Sequence, residues 1–240
     1  MSAATSGRRA HRVVATRGAS RAATVVPHEP APITATFVVM MASLGEVSST
    51  LAAVTHSIAV LIPVKSFADA KHRLAEVMGA NERAALARNM AETVIAAAAP
   101  LPVTVVCDDQ QVADWATGQG AAVVWADQPG LNAAVQCGVT ALAAQGVAQV
   151  VVAHGDLPRA TQLAPCAEFV GVTLVPDRHN DGTPVAVVPA EAGFVFAYGP
   201  GSYAKHVAEA ERLGLPWRSL RDPDLGHDVD EPDDLEGAGL

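Results

Sequence analysis

The chain has 240 residues, of which 50% are hydrophobic and 17% charged, which suffices for one sizeable core and excludes a chain disordered throughout or a disulfide-held miniature. Lys and Arg number 16 against 25 Asp and Glu, a formal charge of -9, so a broad nucleic-acid-binding surface is disfavoured while a local basic pocket is not. Aromatic residues are only 4%, which suits small aliphatic packing of helices on a sheet better than base-stacking platforms.

Residues 1–32 scatter Arg among small residues, end rich in Pro, and keep no helix or strand period. The following ITATFVVMMASLGEVSSTLAAV contains FVVMMA, too short to span a bilayer and too far from the start for the apolar segment of an export signal. Residues 1–56 therefore read as an extension, largely disordered or a misassigned start with translation beginning at Met40 or Met41, and no membrane partner is expected. Cys107, Cys137 and Cys166 form no CxxC pair, so neither a zinc knuckle nor a redox dithiol is indicated, and a reducing cytoplasm is the simplest setting.

Order begins at Ser57, and residues 57–236 read as one domain, with 237–240 frayed. SIAVLIPV is an apolar strand, ERAALARNMAETVIAAAA a helix, PVTVVC a strand, QQVADWAT a short helix and AAVVWA a third strand. LNAAVQCGVTALAAQG is helical, VAQVVVAH a strand, TQLAPCAEF a short helix and GVTLVPD a strand. TPVAVVPA and GFVFAY read as adjoining strands or as a strand and a buried loop, before the helix YAKHVAEAERLG and the short strand PWRSLR. The strands lack period-two alternation, as a sheet covered on both faces requires. The fold class is α/β, with three layers around a mostly parallel mixed sheet.

In such a fold chemistry gathers at the carboxyl ends of strands. There is no P-loop and no GxGxxG, which disfavours an ordinary ATPase or dinucleotide oxidoreductase, although loop amides and cationic side chains can still bind phosphate. The loop after the first strand carries Lys65, Lys71 and Arg73, three cations in a short segment suited to phosphate; the plainer reading is a solvated basic loop. HGDLP presents Asp156 at the end of a buried strand, and DVDEPDDL adds Asp228 and Asp230, whose i, i+2 spacing points two carboxylates to one side. Hard divalent cations prefer oxygen ligands and bridge polyphosphates, so the three form a candidate metal site; a capping residue and an acidic surface are the alternatives. Thr183, Gly199 and Ser202 offer a hydroxyl, a turn amide and a helix-start hydroxyl as a second anion pocket, or merely a turn and a cap. His154, His179, His206 and His227 form no compact metal motif.

Taken in order, PVKSFADAKHRLA, PGLNAAV, GDLP, DRHNDGT, YGPGS, the nearby KH and DVDEPDDL resemble the guanylyltransferases of coenzyme F420 biosynthesis over residues 58–236. The resemblance implies a compact Rossmann-like nucleotidyltransferase that uses GTP and Mg2+. It matches Asp156, Asp228 and Asp230 to metal ligands, and Thr183, Gly199 and Ser202 to contacts with the phosphorylated three-carbon acid. Lys65, Lys71, Arg73 and Asn132 fall to the nucleotide, with the three cations and Asp156 as the catalytic set. The implied reaction transfers GMP from GTP to phosphoenolpyruvate or 2-phospho-L-lactate with release of pyrophosphate. Acceptors such as 3-phosphoglycerate or a sugar phosphate, and a non-catalytic metal-binding domain, are the alternatives. A homodimer and a downstream transferase of the same pathway are compatible partners.

Overall fold

The computed structural model describes residues 57–238; the extension expected at 1–56 lies outside them. In chain order the elements are β1 (Ile58–Pro63), α1 (Ala80–Ala97), β2 (Val103–Cys107), α2 (Gln110–Gly118), β3 (Ala122–Trp125), α3 (Leu131–Ala144) and β4 (Gln149–Ala153). They continue with β5 (Val172–Val175), β6 (Val185–Pro189), α4 (Ser202–Arg212), β7 (Trp217–Ser219) and α5 (Pro232–Ala238). The seven strands form one sheet in the order β3-β2-β1-β4-β6-β5-β7. Only β6 runs against its neighbours β4 and β5; the remaining pairs are parallel.

The continuous Val, Ile and Leu runs are explained by cover on both faces. Val60 and Ile62 of β1 point to one side, where α1 contributes Val94 and Ala97 and α2 contributes Val112 and Ala116. Ala59 and Leu61 point to the other, where α3 packs Val135 and Val139 and α4 packs Ala210. Helix α3 lies so close to β1 that a Cβ on Gly138 would stand 2.6 Å from Cδ1 of Leu61, so glycine is what lets this layer approach. Two helices have distinct starts: the Asp109 carboxylate accepts the Val112 N–H at 3.0 Å before α2, and the Glu82 carboxylate accepts the Gly79 N–H at 2.7 Å before α1.

Three segments differ from, or refine, the sequence expectation. TQLAPCAEF holds only a 3-10 turn, Ala164–Glu168, as a segment this short commonly does. GFVFAY is a buried loop: β6 already has a strand on each side, and Phe194, Phe196 and Tyr198 turn alternate side chains into the second core face. Beyond Pro232 the chain forms α5, which runs to Ala238. Among the described residues no helix is long and apolar enough to cross a membrane.

Strand order sets the place of the site. The chain moves from β1 to β2 and β3 on one side, then returns to lay β4 on the other side of β1. The crevice at the carboxyl ends of β1 and β4 is therefore the topological switch point, where open α/β sheets bind ligands.

Candidate active site

A cleft of about 430 Å3 opens at that switch point, lined by Lys65, Lys71 and Arg73 from the loop after β1 and by His154, Asp156 and Asp230. The loop is shaped by two 3-10 turns, Phe67–Asp69 and His72–Leu74, anchored by buried Phe67 and Leu74. Between them Lys71 takes φ 53 and ψ 45, left-handed backbone that few residues other than glycine adopt. That bend sends its side chain inward. Lys71 Nζ lies 2.7 Å from Asp156 Oδ2 and 2.9 Å from Asp230 Oδ1. Arg73, on the exposed rim, stands 3.9 Å from Asp230 and 3.7 Å from Glu231.

Charge and burial compete here. Burial alone would pull the Lys71 ammonium toward neutrality, but the charges and hydrogen bonds of Asp156 and Asp230 overcome it and hold the group above the ordinary lysine value. Burial likewise opposes ionisation of Asp156, yet the Lys71 charge keeps its carboxyl below the usual range. Among the described residues Asp228 has no such cationic partner. Burial first, then the neighbouring Asp156 charge, raises it to about 6. The second oxygen of Asp156, Oδ1, is buried and accepts no hydrogen bond among the described residues.

The segment carrying Asp228 and Asp230 is held by Asp234. Its Oδ2 accepts the N–H groups of Asp230 at 2.7 Å and Glu231 at 2.8 Å, and its Oδ1 pairs with Arg178. As the third residue of α5, Asp234 both caps the helix and folds the preceding strand-like segment back toward β4. Arg178 also donates to the Asp228 carbonyl at 3.2 Å.

Thr183 and Ser202 form a second, fully buried group, with their hydroxyl oxygens 3.5 Å apart. His206 Nδ1 lies 3.1 Å from Thr183 Oγ1. Gly199, at φ 115, bends the chain so that its carbonyl accepts the Ser202 N–H at 3.0 Å. This group connects to the cleft through His154, whose N–H donates to the Pro184 carbonyl at 2.9 Å and whose ring stands 4.8 Å from that of Tyr198.

The expected residues thus fall into three sets. Lys65, Lys71, Arg73, Asp156 and Asp230 share the cleft wall; Asp228 adds its charge beside Asp156 and Asp230; Thr183, Ser202 and Gly199 gather behind His154. Among the described residues no three His, Cys, Asp or Glu side chains stand ready as a metal-ligand cluster, and the Lys71 ammonium bonds two of the three expected carboxylates. Asn132 stands at the start of α3, where its amide oxygen accepts the Tyr198 N–H at 2.6 Å and its amide nitrogen donates to the Tyr198 carbonyl at 3.3 Å, clipping the loop before α4 to that helix. Two residues that lie in the KH and DVDEPDDL stretches but to which the resemblance assigns no role, His206 and Asp234, hold the others in place. Their signal lies in spacing: His206 falls on the buried stripe Ser202, His206, Ala210 of α4, and Asp234 on the third position of a Pro-started helix.

Comparison with known proteins gives concordant results. Residues 58–238 match the family described as "Guanylyl transferase CofC like". A protein of Roseiflexus castenholzii named phosphoenolpyruvate guanylyltransferase is 35% identical over 180 residues, covering 73% of this chain and 84% of its own. One of the same name from Sphaerobacter thermophilus is 33% identical over 185 residues, covering 73% and 89%. Among solved structures, a nucleotidyl transferase from Methanothermobacter thermautotroptrophicus superposes with a TM-score of 0.54 at 17% identity, covering 75% of this chain and 95% of that one, a likeness of fold.

Proposed function

Because the chain belongs to the family of CofC-like guanylyl transferases, we propose that it transfers GMP from GTP to phosphoenolpyruvate or 2-phospho-L-lactate, a step of coenzyme F420 biosynthesis. The observation that carries this reading is the convergence of Lys71 with Asp156 and Asp230 at the switch point, beside Lys65 and Arg73. A cationic loop and clustered carboxylates in one cleft are what two anionic substrates require. The name shared by the relatives puts phosphoenolpyruvate first among acceptors.

A phosphate oxygen of the acceptor acid attacks the α-phosphorus of GTP in line. A new P–O bond forms, the bond to the α,β-bridging oxygen breaks, and its electron pair leaves with pyrophosphate. The attacking oxygen is already anionic near neutral pH, so no side chain has to remove a proton, and catalysis rests on positioning and charge stabilisation. Lys65, Lys71 and Arg73 hold the triphosphate and meet the charge that grows on the leaving pyrophosphate.

The carboxylates suit a divalent cation on two counts: the buried Oδ1 of Asp156 has no partner among the described residues, and Asp228 is crowded by like charge. Asp156, Asp228 and Asp230 would hold Mg2+ once Lys71 turns to phosphate. The ion supplies screening between the two anionic substrates.

Purified protein with Mg2+, incubated with GTP, ATP, CTP or UTP against phosphoenolpyruvate, 2-phospho-L-lactate, 3-phosphoglycerate and sugar 1-phosphates, tests the proposal by product mass and pyrophosphate release. A GMP adduct of phosphoenolpyruvate or 2-phospho-L-lactate is the expected product. Transfer confined to sugar phosphates, or nucleotide binding without pyrophosphate release, would overturn it.

A further inference from the structure

His206 is fully enclosed on α4, with the rings of Phe194, Phe196 and Tyr198 around it. Its two ring nitrogens have different partners. The Ala197 backbone N–H donates to Nε2 at 3.0 Å, and a peptide N–H can only donate, so Nε2 carries no proton. Burial above all, then the neighbouring His154, lowers the imidazole to about 4, and the ring is neutral at pH 7. Its single proton therefore resides on Nδ1, the atom 3.1 Å from Thr183 Oγ1.

The consequence falls on Thr183. Its oxygen accepts from His206 and lies within reach of the Ser202 hydroxyl at 3.5 Å, so its own proton is directed elsewhere. Thr183 stands two residues before Val185, which pairs with Ala153 at the end of β4, the strand end that carries His154, Gly155 and Asp156. The buried relay is thus anchored on the same strand end as the cleft.

We infer that His206 is a positioning residue that locks the Thr183 hydroxyl as a hydrogen-bond donor to an oxyanion of the acceptor acid. This rests on the guanylyl-transfer reading and deepens it by assigning the polarity of the acceptor pocket. Ionised carboxylate and phosphoryl oxygens only accept, so a hydroxyl held as a donor favours them over an ammonium, which only donates. Ser202 reinforces the polarity without creating it, since its contact is the longer one.

The test combines a spectroscopic and a kinetic readout. In 15N-histidine-labelled protein at pH 7, long-range 1H–15N spectra should show His206, assigned by the loss of its signals in His206→Asn, as a neutral ring protonated at Nδ1. His206→Phe should raise KM for the acceptor acid about 10- to 100-fold, as for loss of one charge-assisted hydrogen bond, while kcat and the KM for GTP stay within about two-fold. His206→Asn, whose amide nitrogen can stand where Nδ1 stood, should recover most of the loss. A ring protonated at Nε2, or an acceptor KM unmoved in both variants of an active enzyme, overturns the role of His206. Absence of transfer by the wild-type protein removes the guanylyl-transfer reading itself, and this inference with it. The ring tautomer is read in the wild-type chain and does not depend on the folding of any variant.

Discussion

The ammonium of Lys71 lies 2.7 Å from Oδ2 of Asp156, across 85 residues of sequence, and the same nitrogen reaches Asp230 at 2.9 Å. One cation thereby balances two carboxylates that arrive from β4 and from the segment before α5. The left-handed backbone at Lys71 costs about 1 kcal/mol or more, and it persists because Phe67 and Leu74 bury the loop on both sides of it. The strain is localised at a residue whose side chain joins three parts of the cleft.

Lys71→Met should expose how much that balance contributes. Removing one partner of an enclosed ion pair leaves uncompensated charge, but Asp230 is about half exposed, so the expected loss is roughly 1–3 kcal/mol rather than the full cost of a deeply buried pair. Urea unfolding would measure it. Guanylyl transfer should fall at least about 100-fold in the same variant, and an active, equally stable Lys71→Met protein would remove Lys71 from the site.

Asp156→Asn keeps the shape of the side chain and deletes its charge. Lys71 would retain only Asp230, and the unpartnered Oδ1 could no longer serve a cation as a carboxylate does. Turnover at saturating substrates and Mg2+ should drop by at least about 100-fold. Stability should change much less than turnover, because the asparagine can still meet Lys71 through its carbonyl oxygen. Near-normal turnover would assign Asp156 to the strand end alone.

Much of the fold is legible in the sequence because burial on both faces writes each central strand as an unbroken apolar run, as in IAVLIP and QVVVA. Helices α1 and α3 are legible from their spacing and composition. The loop Phe67–Leu74 is not, since three-residue 3-10 turns carry no period, and the inward bend at Lys71 is a backbone conformation that residue identity gives no reason to expect. The cleft residues Lys65, Lys71, Arg73, Asp156 and Asp230 were readable as charges at strand ends. What could not be read is that Lys71 stands between the carboxylates, or that Asn132 spends its amide on Tyr198, because both depend on contacts far apart in sequence. Asp234 looks like one more acid in DVDEPDDL, and only the fold shows it buried and bonded to three partners.

Asp234→Ala should therefore damage the site from a distance. It removes the acceptor for two backbone N–H groups and leaves Arg178 without its carboxylate. A lost cap and a lost ion pair together should lower stability by about 2–4 kcal/mol in urea unfolding. Because Asp228 and Asp230 lose their tether, transfer activity should fall even where the protein is still folded. Full activity in the folded fraction would show that the segment keeps its place without Asp234.

The buried His206 predicts a pH dependence of stability with a definite sign. Its imidazole titrates near 4 when folded, against 6.5 when free, so between these values the unfolded chain binds a proton that the folded chain does not. The stability associated with the neutral ring is complete above pH 6.5 and is lost as pH falls from 6.5 toward 4, by about 3 kcal/mol in all. The charged neighbours are Lys205 and Glu209 on its own helix, and His154 faces it from the end of β4. Urea midpoints measured from pH 4.5 to 7.5 should decline more steeply with acid in the wild-type chain than in His206→Asn. Parallel curves would show that the ring takes up its proton within the fold.

Ser202→Ala separates capping from ligand contact at the start of α4. Ser202 is buried, and among the described residues its hydroxyl reaches only Thr183, at 3.5 Å; its backbone N–H is already satisfied by the Gly199 carbonyl at 3.0 Å. The helix starts at a left-handed Gly201 with no side-chain cap, so removing the hydroxyl should cost little stability, about 0.5 kcal/mol or less. If that hydroxyl meets the acceptor acid, KM for the acid should rise about 5- to 20-fold with the KM for GTP unchanged, the loss expected for one hydrogen bond. A KM for the acid that stays at the wild-type value would confine Ser202 to the helix start.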